Sequence, residues 1–242
     1  MPSSRTDRTK PAGRNDRAGR EIEFASGGES ARGYLALPPG GRGPGVLVIQ
    51  EWWGLVDHIR EVCDRFAREG FVALAPDLYR GDATSDPDEA GRLMMGLEIP
   101  RAARDLDAAV TALLGQDAAL GSRVGAVGFC MGGQLALFAA TRNPRIGAVV
   151  DFYGIHPHVT LDLSRLEAAV LGIFAERDSF VPPEAARKLE SDLRSAGARA
   201  ECIVYPGVDH AFMNDSRPDV HHAETAARAW ARTLAFLRAE LS

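Results

Sequence analysis

Short, unbroken apolar runs alternate with segments of helical periodicity along most of the chain. GVLVIQ (Gly45 to Gln50), FVALAP (Phe71 to Pro76), VGAVGF (Val124 to Phe129), AVVDFY (Ala148 to Tyr153), VLGIF (Val170 to Phe174) and ECIVYP (Glu201 to Pro206) lack the alternating polarity of a half-solvated sheet. They predict strands covered on both faces. Ile59, Val62, Cys63, Phe66 and Ala67 recur at i, i+3, i+4, i+7 and i+8 behind an expected N-cap at Asp57, and Leu106, Ala109, Val110 and Leu113 repeat the spacing. Ala227, Trp230, Leu234 and Leu237 mark a last helix. Strands separated by helices call for right-handed crossovers. The expected fold class is therefore α/β, a mostly parallel central sheet with helices on both faces. EIEF (Glu21 to Phe24) and GYLAL (Gly33 to Leu37), joined by the turn-rich SGGES, predict an antiparallel hairpin at one edge.

Residues 1–20 contain Ser, Pro, Gly and Arg with almost nothing apolar beyond Met1 and two alanines. Such a segment cannot offset its ordering entropy, so a disordered tail is expected before a single domain over 21–242. With 242 residues, 45% of them hydrophobic, the chain can bury one substantial core. The formal net charge of −5 argues against nucleic acid as a partner. No run reaches the roughly 18 apolar residues of a membrane span, and no apolar signal region opens the chain, so a cytoplasmic monomer or small homo-oligomer is expected. Cys63, Cys130 and Cys202 are too few and too far apart for a disulfide framework or a zinc site.

One of these cysteines has a notable setting. GFCMGG (Gly128 to Gly133) follows the strand VGAVGF and precedes a helix that includes Leu135, Leu137 and Phe138 and stops near Asn143-Pro144. Gly128-Phe129-Cys130-Met131-Gly132 is thus G-x-C-x-G at a strand-turn-helix junction, the nucleophile-elbow pattern with cysteine in place of serine. A side chain at either flanking glycine would collide with the neighbouring strand or helix, and the helix N-terminus favours negative charge on sulfur. The bland alternative is a cysteine in a buried turn.

A nucleophile needs a base and the base an orienting acid, in the chain order nucleophile, acid, histidine for this architecture. Of six histidines, His58 lies upstream of the elbow, His221 and His222 lead into the last helix, and His156 and His158 precede the best acid. His210, in YPGVDHAF just past the last strand, remains. Asp178 in FAERDSFVP ends the strand VLGIF; its bland reading is an Asx turn or a helix cap. Asp151, inside AVVDFY, is the rival acid, and Asp209 adjoins the histidine.

Together, QEWWG (Gln50 to Gly54), PDLYRG (Pro76 to Gly81), GFCMGG, FYG (Phe152 to Gly154), the RD of FAERDSFVP and YPGVDHAF resemble the dienelactone hydrolase family, of the α/β-hydrolase fold, from about Glu21 to Leu237. The resemblance implies a triad of Cys130, Asp178 and His210. It also implies that Glu51 contacts the thiol and takes part in its activation, and that the backbone N–H groups of Trp52 and Met131 form an oxyanion hole. Glu51 ends an apolar strand at the same sheet edge as Cys130, where a buried carboxylate needs a hydrogen-bond partner; loop amides are the alternative to the thiol. Trp52 and Trp53 equally serve as apolar walls.

The implied chemistry is hydrolysis of a small carboxylic ester or enol lactone through a cysteine acyl-enzyme, with no metal and no organic cofactor. A thiolate is a good leaving group, so activated esters and enol lactones are expected in preference to amides. The family's substrate is a dienelactone whose carboxylate is gripped by arginines. Arg80 lies about one position from one of these, whereas Asn214 stands where the second is expected. Tyr79, Trp53 and Phe212 complete the expected substrate contacts. A thioesterase or acyltransferase using the same thiol, and a silent binding protein, are the competing classes. The stretch 82–100, polar and poorly periodic at its start, is the candidate lid.

Overall fold

The computed structural model describes residues 19–241. The tail expected over 1–20 lies outside the described residues up to residue 18; Arg20 already opens the first strand.

Eight strands form one sheet among the described residues: β1 (Arg20–Ser26), β2 (Glu29–Ala36), β3 (Gly43–Ile49), β4 (Val72–Pro76), β5 (Ala119–Phe129), β6 (Ile146–Phe152), β7 (Ala169–Ala175) and β8 (Ala200–Tyr205), in the order β1-β2-β4-β3-β5-β6-β7-β8. The β1–β2 hairpin pairs antiparallel with itself and with β4; from β4 to β8 every pairing is parallel. The expected sheet and edge hairpin are both present. Six helices accompany it: α1 (Asp57–Arg68), α2 (Pro87–Met95), α3 (Ile99–Leu114), α4 (Met131–Ala140), α5 (Pro183–Ser195) and α6 (Ala223–Glu240).

Both faces of the sheet are sealed, which is why its strands read as continuous apolar runs. Val46 and Val48 of β3 join one core with Ile59, Val62 and Phe66 of α1 and Ala229, Leu234 and Leu237 of α6. Leu47 and Ile49 alternate to the other face, against Leu106, Ala109, Val110 and Leu113 of α3 and Leu135, Ala136 and Ala139 of α4.

One local expectation is corrected. Asp57 is the first residue of α1 rather than its cap; Val56 holds the N-cap position with no side-chain bond, and the Asp57 carboxylate favours the positive end of the helix. The candidate lid, 82–100, is irregular at its start and turns helical at Pro87, where Asp86 accepts from Glu89 N at 2.9 Å to cap α2.

Candidate active site

Cys130 occupies the single residue between β5 and α4, with φ 53° and ψ −121°. A non-glycine residue with positive φ costs roughly 1–3 kcal/mol and persists only where its surroundings over-determine it. Here the Cys130 N–H donates to Phe152 O at 3.0 Å, and its carbonyl accepts from Gly133 N at 2.9 Å and Ile155 N at 3.2 Å. The flanking glycines have the predicted steric cause. A Cβ on Gly128 would lie 1.9 Å from Gly132 O, and one on Gly132 would lie 2.3 Å from Ile49 O. The second contact brings the end of β3, and with it Glu51 and Trp52, against the first turn of α4. The backbone N–H groups of Trp52 and Met131 have no backbone acceptor among the described residues.

Asp178 and His210 follow β7 and β8 at the same sheet edge. His210 Nδ1 lies 2.6 Å from Asp178 Oδ2, and Asp178 Oδ1 accepts from the N–H groups of Phe180 and Val181 at 2.8 and 2.9 Å. Both carboxylate oxygens are therefore held, and the ring direction with them. The Cys130 thiol acts on the same imidazole from the elbow side. Burial pulls the His210 pKa down, but hydrogen bonds to Asp178 and Cys130 and the charges on both outweigh it and push it up to about 10. Tyr153 and Phe180 flank the ring, with centroids 4.8 and 5.2 Å away. Asp151, the rival acid, is 1% exposed and wedged beside Gly133 and Gly154; the Gly154 N–H is near it, but neither of its oxygens has a well-formed hydrogen bond among the described residues.

Glu51 is buried at the same edge, but its hydrogen bond comes from Asn214 Nδ2, 2.7 Å from Oε2, and not from Cys130. Asn214 Oδ1 in turn accepts from Ser216 N at 3.0 Å and Ser216 Oγ at 2.6 Å. The position where an arginine was expected thus holds the partner of Glu51.

The expected substrate contacts divide. Tyr79 donates its hydroxyl to Met131 Sδ at 3.2 Å, and burial, aided by the Cys130 charge, pushes its phenol up. Trp53 is half-buried, packs edge-on to Trp52 at 4.9 Å, and with Asn214 and Arg217 lines a cleft of about 260 Å³. Arg80 is a correction. Its guanidinium is taken by Asp105, with Nη2 2.8 Å from Oδ1 and Nε 3.2 Å from Oδ2, and by Ser30 O at 2.5 Å. Asp105 is buried and needs that cation, so Arg80 locks α3 to the β1–β2 hairpin instead of facing the thiol. Phe212 is a second correction: it is wholly buried between Tyr153 and Tyr205, a core residue beneath the site.

Tyr153 is a residue that composition and spacing did not single out. It is fully buried with φ 43°, and Ala211, next to the histidine, has φ 65°. Three of the four positive-φ non-glycine residues among those described, Cys130, Tyr153 and Ala211, thus surround one site. Phe180, 60% exposed over the imidazole, was likewise unremarked. No sequence periodicity distinguishes either residue.

The sequence profile described as the Dienelactone hydrolase family matches residues 31–241. Protein usf of Aquifex pyrophilus is 38% identical over 231 residues, which span 93% of this chain and 100% of that protein. A relative from Aquifex aeolicus, provisionally named carboxymethylenebutenolidase, is 35% identical over 230 residues, 92% of this chain and 99% of that protein. Among solved structures, the dienelactone hydrolase-like promiscuous phosphotriesterase P91, from metagenomic libraries, superposes with a TM-score of 0.83 at 26% identity, over 93% of this chain and 98% of that one. With likeness extending over nearly the whole chain in sequence and in fold, this chain belongs to the dienelactone hydrolase family, hydrolases of the α/β-hydrolase fold.

Proposed function

We propose that this hydrolase cleaves small carboxylic esters or enol lactones through a thioester on Cys130. The reading is supported by the pair of His210 and Asp178, 2.6 Å apart with both carboxylate oxygens held, at the same sheet edge as a thiol on a positive-φ elbow. Cys130 attacks as a thiolate paired with the His210 imidazolium. The carbonyl oxygen becomes an oxyanion between the N–H groups of Trp52 and Met131, the carbon–oxygen ester bond breaks, and the leaving oxygen takes the proton from His210.

Deacylation follows from the same electrostatics. Once sulfur is esterified its charge is gone, and with it part of what holds the His210 pKa up. The ring then accepts a proton from water, hydroxide adds to the thioester, and the thiolate leaves and recovers its imidazolium partner. The net change is ester plus water to acid plus alcohol. Enol lactones and activated esters suit this route because their departing oxygen is resonance-stabilised and competes with sulfur as leaving group. In this reading Glu51, held by Asn214, is a buried carboxyl group beside the oxyanion hole, and Tyr79 and Trp53 are walls of the acyl pocket. The whole acts as one domain without metal or organic cofactor.

The test is hydrolysis of an activated aryl ester, an enol lactone with a carboxylate and one without, by the native protein and by Cys130→Ala. Turnover lost in the variant supports the reading; turnover unaffected by the variant sinks it. An acyl-thioester and an alcohol acceptor in the same panel separate thioesterase and acyltransferase activity. An aryl phosphotriester belongs there too, because P91 is described as a phosphotriesterase.

A further inference from the structure

Away from the thiol, a surface cleft of about 380 Å³ runs between α3 and the turn that joins α4 to β6. Three arginines line it: Arg104 from α3, and Arg142 and Arg145 from the turn. None of the three forms an ion pair among the described residues, in a chain whose formal net charge is −5. The single carboxylate on the cleft, Asp107, is drawn to the Asn143 amide at 3.2 Å and lies beyond ion-pair distance of all three.

The guanidiniums are held in place by neutral groups. Arg145 Nη2 donates to Thr111 Oγ1 at 2.8 Å, and its Nε donates to Oδ1 of the buried Asn143 at 3.4 Å. Arg142 lies over the Phe138 ring at 5.4 Å, and Arg104 Nη1 donates to Pro100 O at 3.3 Å. The negative end of α4 accounts for a basic residue near its last turn, but not for three converging on one cleft from two elements. Like charges gathered without counter-charge are stabilised by an anion. A planar guanidinium fork matches phosphate oxygens two at a time, and several such forks favour a multiply charged ligand over a single carboxylate.

We infer that this cleft binds a small molecule bearing a diphosphate group. Arg142 lies one residue past the C-cap of α4, at the far end of a helix about 15 Å long that starts at the elbow, so the ligand is separate from the ester or lactone. The inference does not depend on the chemistry proposed for Cys130.

Titration calorimetry at fixed ionic strength, with inorganic pyrophosphate, ADP and sulfate as probes, tests it on the full chain. Saturable one-to-one binding of pyrophosphate or ADP, weakened at least tenfold by both Arg104→Ala and Arg142→Ala with melting temperature unchanged, is the expected result. ADP tighter than pyrophosphate identifies a nucleotide as the source of the diphosphate; equal affinity identifies the free anion. Absence of saturable binding, affinity unchanged in both variants, or sulfate binding equal to pyrophosphate would overturn the inference. Arg145 is left intact because its bonds to Thr111 and Asn143 hold the turn itself.

Discussion

Asn214 donates its side-chain amide to Glu51 across 163 positions of sequence, at 2.7 Å, with both residues almost wholly buried. The amide meets two demands at once, accepting from Ser216 on one side and donating to a carboxylate on the other. Asn214→Leu orphans the carboxylate and is expected to cost about 1.5–3 kcal/mol in urea denaturation. Asn214→Asp sets two carboxylates against each other, so its deficit should shrink as pH falls. A deficit independent of pH would show that Asp is tolerated by some other rearrangement.

The proton on His210 should report the state of Cys130. Alkylation with iodoacetamide, or Cys130→Ala, removes two of the contributions that push the ring up to about 10, leaving burial opposed by Asp178. The ring should titrate lower in both, as read by NMR of the imidazole. An unchanged titration would mean that Asp178 alone sets it.

Linkage gives a pH dependence with a definite sign. The folded ring keeps its proton to about 10, whereas an unfolded histidine releases it near about 6.5. Stability from this group is complete below about 6.5 and is lost as pH rises through about 10. Denaturation curves of native protein and His210→Gln between these limits should converge as pH increases. In the proposed reaction kcat/KM falls across the upper limit, where the free enzyme loses its general acid.

Asp151 titrates in a different window. Burial pushes its carboxyl up to about 7, with only the Gly154 N–H pulling the other way. The raised folded value means that its contribution is complete below about 4 and is lost as pH rises through about 7. Asp151→Asn keeps the shape without the charge. It should flatten the stability profile over that range and exceed the native protein in stability at pH 8; a variant less stable at pH 8 would refute this account.

Arg80→Met should separate a structural from a substrate-binding role. Loss of the guanidinium leaves the Asp105 carboxylate buried with only Ser26 Oγ, 2.5 Å away, so destabilisation of roughly 3–5 kcal/mol is expected. Hydrolysis of a carboxylated and an uncarboxylated lactone, compared below the variant's melting point, should stay in the native ratio. A selective loss on the carboxylated compound would return Arg80 to the substrate.

The sequence by itself determined the elements and their faces. Unbroken runs such as GVLVIQ signalled strands covered on both sides, and Gly128 and Gly132 around Cys130 signalled a turn with no room for a Cβ; both depend on neighbours a few residues apart. Chain order then singled out His210 and Asp178, and the structure brings these to 2.6 Å. Only the tertiary structure decided which polar groups meet. Arg80 finds Asp105, Asn214 finds Glu51, and Phe212 disappears beneath Tyr153. Local periodicity encodes which way a side chain points. Which partner waits there depends on the order of strands in the sheet and the depth of burial, and neither is written in the spacing of residues along the chain.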